Sequence, residues 1–86
     1  MRKYSILVVD DSISILNALK NFLEDNLEIK VYTAKSLKEC ANVLLEQKGK
    51  IEVVLADLGL PNAPNGEVVD FISKFKIPTV VLTGTD

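Results

Sequence analysis

Apolar and polar residues change rhythm several times along the chain, and each change marks an element. Ile6-Leu7-Val8-Val9 is an unbroken aliphatic run that ends in acid at Asp10-Asp11, and Ile51-Glu52-Val53-Val54-Leu55-Ala56 ends the same way at Asp57. Short β-branched runs of this kind predict buried strands whose last residues emerge at the carboxyl edge of a sheet. After the first run, Asp11 or Ser12 can cap a helix in which Ile15, Leu16, Leu19, Phe22 and Leu23 recur at helical spacing, closed by Glu24-Asp25-Asn26. Glu28-Ile29-Lys30-Val31-Tyr32-Thr33 then alternates polar and apolar, as a half-buried strand at a sheet edge should. Ser36-Leu37-Lys38-Glu39 is a capping box, followed by a stripe of Leu37, Cys40, Ala41, Leu44 and Leu45. Lys48-Gly49 supplies a basic last turn and a left-handed stop.

Beyond Asp57 the stretch Leu58-Gly59-Leu60-Pro61-Asn62-Ala63-Pro64-Asn65-Gly66 reads as a loop. A weaker helical pattern covers Glu67 to Lys74, with Val68 or Val69, Ile72 and Phe75 facing inward, and Pro78-Thr79-Val80-Val81-Leu82-Thr83 is a fourth strand with proline at its first position. Strict alternation of strand and helix, with short apolar strands, predicts an α/β fold whose parallel sheet is covered by helices. In doubly wound sheets the reactive crevice lies at the carboxyl ends of strands where the strand order reverses, which in one common order falls between the first and third strands. Asp10, Asp11 and Asp57 sit at those two ends.

Electrostatics says what such a cluster needs. Two carboxylates about 5 Å apart repel by roughly 3 kcal/mol at an effective dielectric near 20, so three such pairs store roughly 10 kcal/mol unless a proton or a cation neutralises them. Mg²⁺ takes oxygen ligands, keeps several waters and is commonly held by one or two carboxylates plus phosphate oxygens. The chain has no histidine and a single cysteine, which disfavours transition metals.

Composition narrows the class further. With 86 residues, the chain forms at most one small domain and buries roughly 60–65% of its unfolded surface. Its 48% hydrophobic and 26% charged residues describe a globular protein. A net charge of −2 with scattered Lys and Arg gives no nucleic-acid footprint, and no apolar run is long enough to span a bilayer. Cys40 cannot pair within the chain and reads as a small core hydrophobe, in keeping with a reducing cytoplasm. Met1-Arg2-Lys3-Tyr4 runs straight into a strand without a cleavage site, so no secretion signal is expected.

Taken together, the Asp10-Asp11 pair, Asp57 with Leu58-Gly59-Leu60-Pro61, and Thr83-Gly84 at the end of the fourth strand resemble the receiver domain of two-component response regulators. The resemblance implies a flavodoxin-like, doubly wound sheet of strand order 2-1-3-4, with residues 1–86 forming the N-terminal part of a receiver domain that lacks the fifth strand and last two helices. It implies that Asp57 is the phosphoryl acceptor, that Asp11, Asp57 and the Gly59 carbonyl bind Mg²⁺ directly, that Asp10 reaches the ion through water, and that Thr83 is the switch hydroxyl. It also implies a sensor histidine kinase or phosphotransfer protein as partner, and a signalling switch that assists its own phosphorylation and dephosphorylation. The Asp57 to Glu67 stretch is similar to receivers that precede diguanylate cyclase domains.

Departures from the family pattern keep another reading open. The family's phosphate-pairing lysine and aromatic switch residue belong to a fifth strand, beyond these residues; Lys74 and Lys76 precede the fourth strand and do not replace the lysine. A receiver-like interaction module that takes no phosphate is therefore the alternative. An aspartate-nucleophile phosphatase fits poorly, because it needs a second acid two residues after the nucleophile, where Gly59 stands. Right-handed crossovers place the first helix on one face and the second and third on the other. Side chains such as Val53, Leu55, Val80 and Leu82 are then expected to face water, predicting either a longer chain or association as a homodimer.

Overall fold

A computed structural model describes residues 4–47, 49–57, 70 and 72–82, with backbone alone at Asp57 and Leu82. Strand β1 (Tyr4–Val9) leads through helix α1 (Ile13–Asn26) to β2 (Ile29–Ala34), and α2 (Leu37–Glu46) leads to β3 (Val53–Asp57). Strand β4 (Thr79–Leu82) completes a four-stranded sheet of order β2-β1-β3-β4. All pairings are parallel, with Val9 opposite both Ala34 and Ala56, and Asp57 opposite Leu82. The expected strand order is thus the observed one.

Local chemistry sets the element ends. Ser12, not Asp11, caps α1: its hydroxyl accepts from the Ile15 N–H at 3.3 Å. At α2 the Ser36 hydroxyl accepts from the Glu39 N–H at 3.1 Å, while the Glu39 carboxylate accepts from Lys35 N–H at 3.0 Å, one residue ahead of the reciprocal bond of a standard capping box. Helix α2 ends at a Gln47 cap, and Gly49 takes the left-handed conformation (φ 81°) that the sequence assigned to it. Lys48 lies outside the described residues, and the last turn of α2 carries no basic residue, so the expected basic turn is absent there. Asp70, Ile72 and Ser73 are helical, within the expected third helix. That segment ends in a turn where Lys76 N–H reaches the Ser73 carbonyl and Lys76 adopts φ 58°. Val68, Val69 and the 58–66 loop lie outside the described residues.

Two apolar layers flank the sheet. Leu7, Val9, Val54 and Ala56 pack with Ala34, Cys40, Leu44, Ile51 and Ile72 on the face covered by α2, and Phe75 and Ile77 close its edge. On the opposite face Val8, Val31 and Leu16 form a smaller core, joined by Leu19, Leu23, Ile29 and Leu55. The helices are therefore distributed as the crossover rule requires. Several expected core residues are displaced. Ile15 and Phe22 are exposed, because at 100° per residue they fall on one flank of α1, off the Leu16–Leu19–Leu23 row that meets the sheet. On α2 Leu45 is exposed and Val43 packs inward in its place. Strand β2 spans Ile29–Ala34, one residue later than expected. Its side chains alternate between the faces, Ile29 and Val31 toward the α1 core and Tyr32 and Ala34 toward the α2 core, so both faces of this edge strand carry packed residues instead of one apolar and one polar face. Of the residues expected to face water, Val80 is exposed, whereas Val53 and Leu55 are half-buried; the Leu82 side chain is not described.

Candidate functional site

The chain leaves β1 at Asp10 and turns at once. Asp10 N–H donates to the Ala34 carbonyl of β2 at 3.0 Å, which continues the β1–β2 ladder by one residue and fixes where the carboxylate starts. Its Oδ1 accepts from the Ser12 N–H at 2.9 Å, an Asx turn that directs the chain into α1. Asp10 is buried, with 8% of its surface exposed, whereas its neighbour Asp11 is exposed. Because Ser12 performs the capping, the Asp11 carboxylate is not spent on the helix start. Ser12 is thus a positioning residue that the sequence could not separate from Asp11, since either side chain can cap a helix.

The other half of the site comes from β3. Register sets Val9 opposite Ala56, so Asp10 and Asp57 each follow a paired residue and leave neighbouring parallel strands at the same edge. This is the place where the strand order reverses, since β1 is followed in space by β2 on one side and β3 on the other. The structure therefore brings Asp10, Asp11 and the backbone of Asp57 to one sheet edge. The side chain of Asp57, and Gly59 and Thr83 altogether, lie outside what is described.

The donor chemistry here fits a hard, oxygen-seeking cation. The chain has no histidine, and its one thiol, Cys40, is buried in the α2 core, where burial pushes its pKa up to about 11 and keeps it protonated. Among the described residues no group of three or more potential metal-ligating side chains assembles; Asp57, the third carboxylate of the expected cluster, contributes no described side chain. Also among the described residues, no helix is long and apolar enough to cross a membrane.

Comparison with known proteins agrees with this geometry. The response regulator receiver domain model matches residues 6–86. A response regulator receiver domain protein from Clostridium thermocellum shares 32% identity over 95% of this chain, with a TM-score of 0.84. The non-phosphorylated HemR receiver domain from Leptospira biflexa shares 30% over 94%, with a TM-score of 0.81. The chain spans 66% and 64% of those two chains. A co-crystal structure of the Saccharomyces cerevisiae histidine phosphotransfer protein Ypd1 with the receiver domain of Ssk1 matches at 23% identity and a TM-score of 0.74, covering 95% of this chain and 63% of that one, a likeness of fold. No curated protein matches the chain at a significant level. With a family model matching nearly its whole length and a parallel sheet of order β2-β1-β3-β4, the chain belongs to the response regulator receiver domain family.

Proposed function

We propose that this chain accepts a phosphoryl group on Asp57, from the phosphohistidine of a sensor kinase or a phosphotransfer protein, as the input step of a two-component relay. The observation that carries the reading is the meeting of β1 and β3 in parallel register, which delivers Asp10, Asp11 and Asp57 to one edge at the point where the strand order reverses. In the transfer an Asp57 carboxylate oxygen forms a bond to phosphorus as the phosphorus–nitrogen bond breaks, and the imidazole leaves with the electron pair and takes up a proton. Such a reaction asks the protein for positioning and charge more than for acid or base.

Asp10, Asp11, Asp57 and the Gly59 carbonyl would hold Mg²⁺ in this reading. When bound, the ion supplies the positive charge that offsets the phosphoryl oxygens and the clustered carboxylates. Asp10, fixed through Ser12 and Ala34, holds its carboxylate in place before any ion arrives. Thr83 is assigned the hydroxyl that follows the new phosphoryl oxygens and moves its loop.

The test is incubation with acetyl phosphate and Mg²⁺ followed by intact mass. The native chain gains one phosphate and the Asp57→Asn variant gains none. A variant that still gains phosphate shows that another residue is the acceptor; a native chain that gains none favours the phosphate-free interaction module.

We further propose that residues 1–86 form the N-terminal part of a longer receiver domain, in the cytoplasm, with exposed Val80 and its half-buried neighbours covered either by more of the same chain or by a second copy. A diguanylate cyclase output rests only on the Asp57 to Glu67 stretch.

A further inference from the structure

Strand β2 is one outer edge of the sheet, so every second residue turns its backbone N–H and C=O away from β1. Because the Ala34 carbonyl accepts from Asp10 N–H, the groups of Ala34, Tyr32 and Lys30 turn toward β1, and those of Ile29, Val31 and Thr33 turn outward. At Val31, the middle of the three, both outward groups are taken by side chains of α1. Glu24 Oε2 accepts from the Val31 N–H at 2.8 Å, and Lys20 Nζ donates to the Val31 carbonyl at 3.2 Å. The two side chains are themselves joined at 3.1 Å.

An incoming strand would use the N–H and C=O of one residue in just this way. We propose that the Lys20–Glu24 pair is an edge guard, which occupies the backbone of Val31 and so prevents β2 of one molecule from pairing with β2 of a second copy. The second copy is the occupant the geometry favours. Two identical edges pair about a two-fold axis as antiparallel strands, and the outward triplet Ile29, Val31 and Thr33 is centred on Val31. The guard therefore sits on the residue that would lie at or beside that axis. An i,i+4 ion pair on a helix adds little to the stability of that helix. Here its two charges are spent on the backbone of another element, and Glu24 is the more buried member, at 14% side-chain exposure against 34% for Lys20.

The guard is tested with Lys20→Met/Glu24→Ala, read by amide hydrogen exchange and by amide NMR across a dilution series. In dilute solution the Val31 amide exchanges roughly tenfold faster than in the native chain, the loss expected for one hydrogen bond. As concentration rises, Ile29, Val31 and Thr33 shift together and the mass doubles. Glu24→Gln, which retains an acceptor oxygen, behaves as native. Should the double variant lose its dispersed spectrum, Lys20→Met alone opens the carbonyl half of the guard and carries the same reading. The proposal is overturned if the β2 amides ignore concentration, if association shifts only Thr79 to Val81, or if the native chain already pairs through β2.

Discussion

Asp10 and Asp11 are adjacent, chemically identical and differently placed, and the difference lies in the backbone. The ladder bond from Asp10 N–H to Ala34 keeps Asp10 in the sheet for one more residue, so its side chain is buried; Asp11 is already in the turn. Sequence placed both acids at the strand end but could not rank them, because burial depends on which residue β2 still reaches. If the acids form one cation site, Mg²⁺ binds weakly, most of its shell remaining water, and an amide NMR titration moves Asp10, Asp11, Asp57 and Gly59 together. Unmoved signals at millimolar Mg²⁺ would end the metal assignment. Cys40 gives a separate test. Its thiol titrates at about 11 in the folded chain against 9.0 for an ordinary thiol, so the folded state holds its proton after the unfolded state has released it. Stability linked to Cys40 is therefore complete below pH 9 and declines between pH 9 and 11. Urea midpoints of the native chain should fall more steeply across that interval than those of Cys40→Ala.

Caps and stops were the most legible features among the elements, because they depend on a few neighbouring residues. Ser36 with Glu39 and the stop at Gly49 were both readable before any fold was known, and both are present. Which apolar residues on a helix reach the core was less readable. Val43 displaces Leu45, and Ile15 and Phe22 stay outside, since a stripe two residues wide fits several rotations of the helix and only the facing strands choose among them. Gly49 has φ 81° and open space where a Cβ would stand, so Gly49→Ala meets no clash and suffers only the left-handed backbone penalty. Its cost should be about 1 kcal/mol, seen as a lower urea midpoint at an unchanged denaturant slope. A gain in stability would show that this turn is not left-handed in solution.

Across the whole molecule, strand order and helix placement followed from β-α alternation and crossover handedness, which are properties of the chain's order more than of any single side chain. Coverage of the α1 face was legible only in part, because Leu55 joins the smaller core while Val80 at the β4 edge does not. The polypeptide of residues 1–86 should therefore associate, or bind a dye for exposed apolar surface, with light scattering and dye fluorescence as the readouts. A cooperative, monomeric and dye-silent polypeptide would show that this face needs no cover.

The central place of β1 also sets a timetable for biosynthesis. Ser5 accepts from the Glu52 N–H, and its own N–H donates to the Glu52 carboxylate, across 47 positions of sequence. At ribosomal rates of about 5–20 residues per second, β3 emerges roughly one to five seconds after β2. Throughout that interval a nascent β1-α1-β2 unit presents the side of β1 that will become the middle of the sheet, and slower translation between Lys35 and Glu52 would lengthen the time during which it can be captured by the wrong strand.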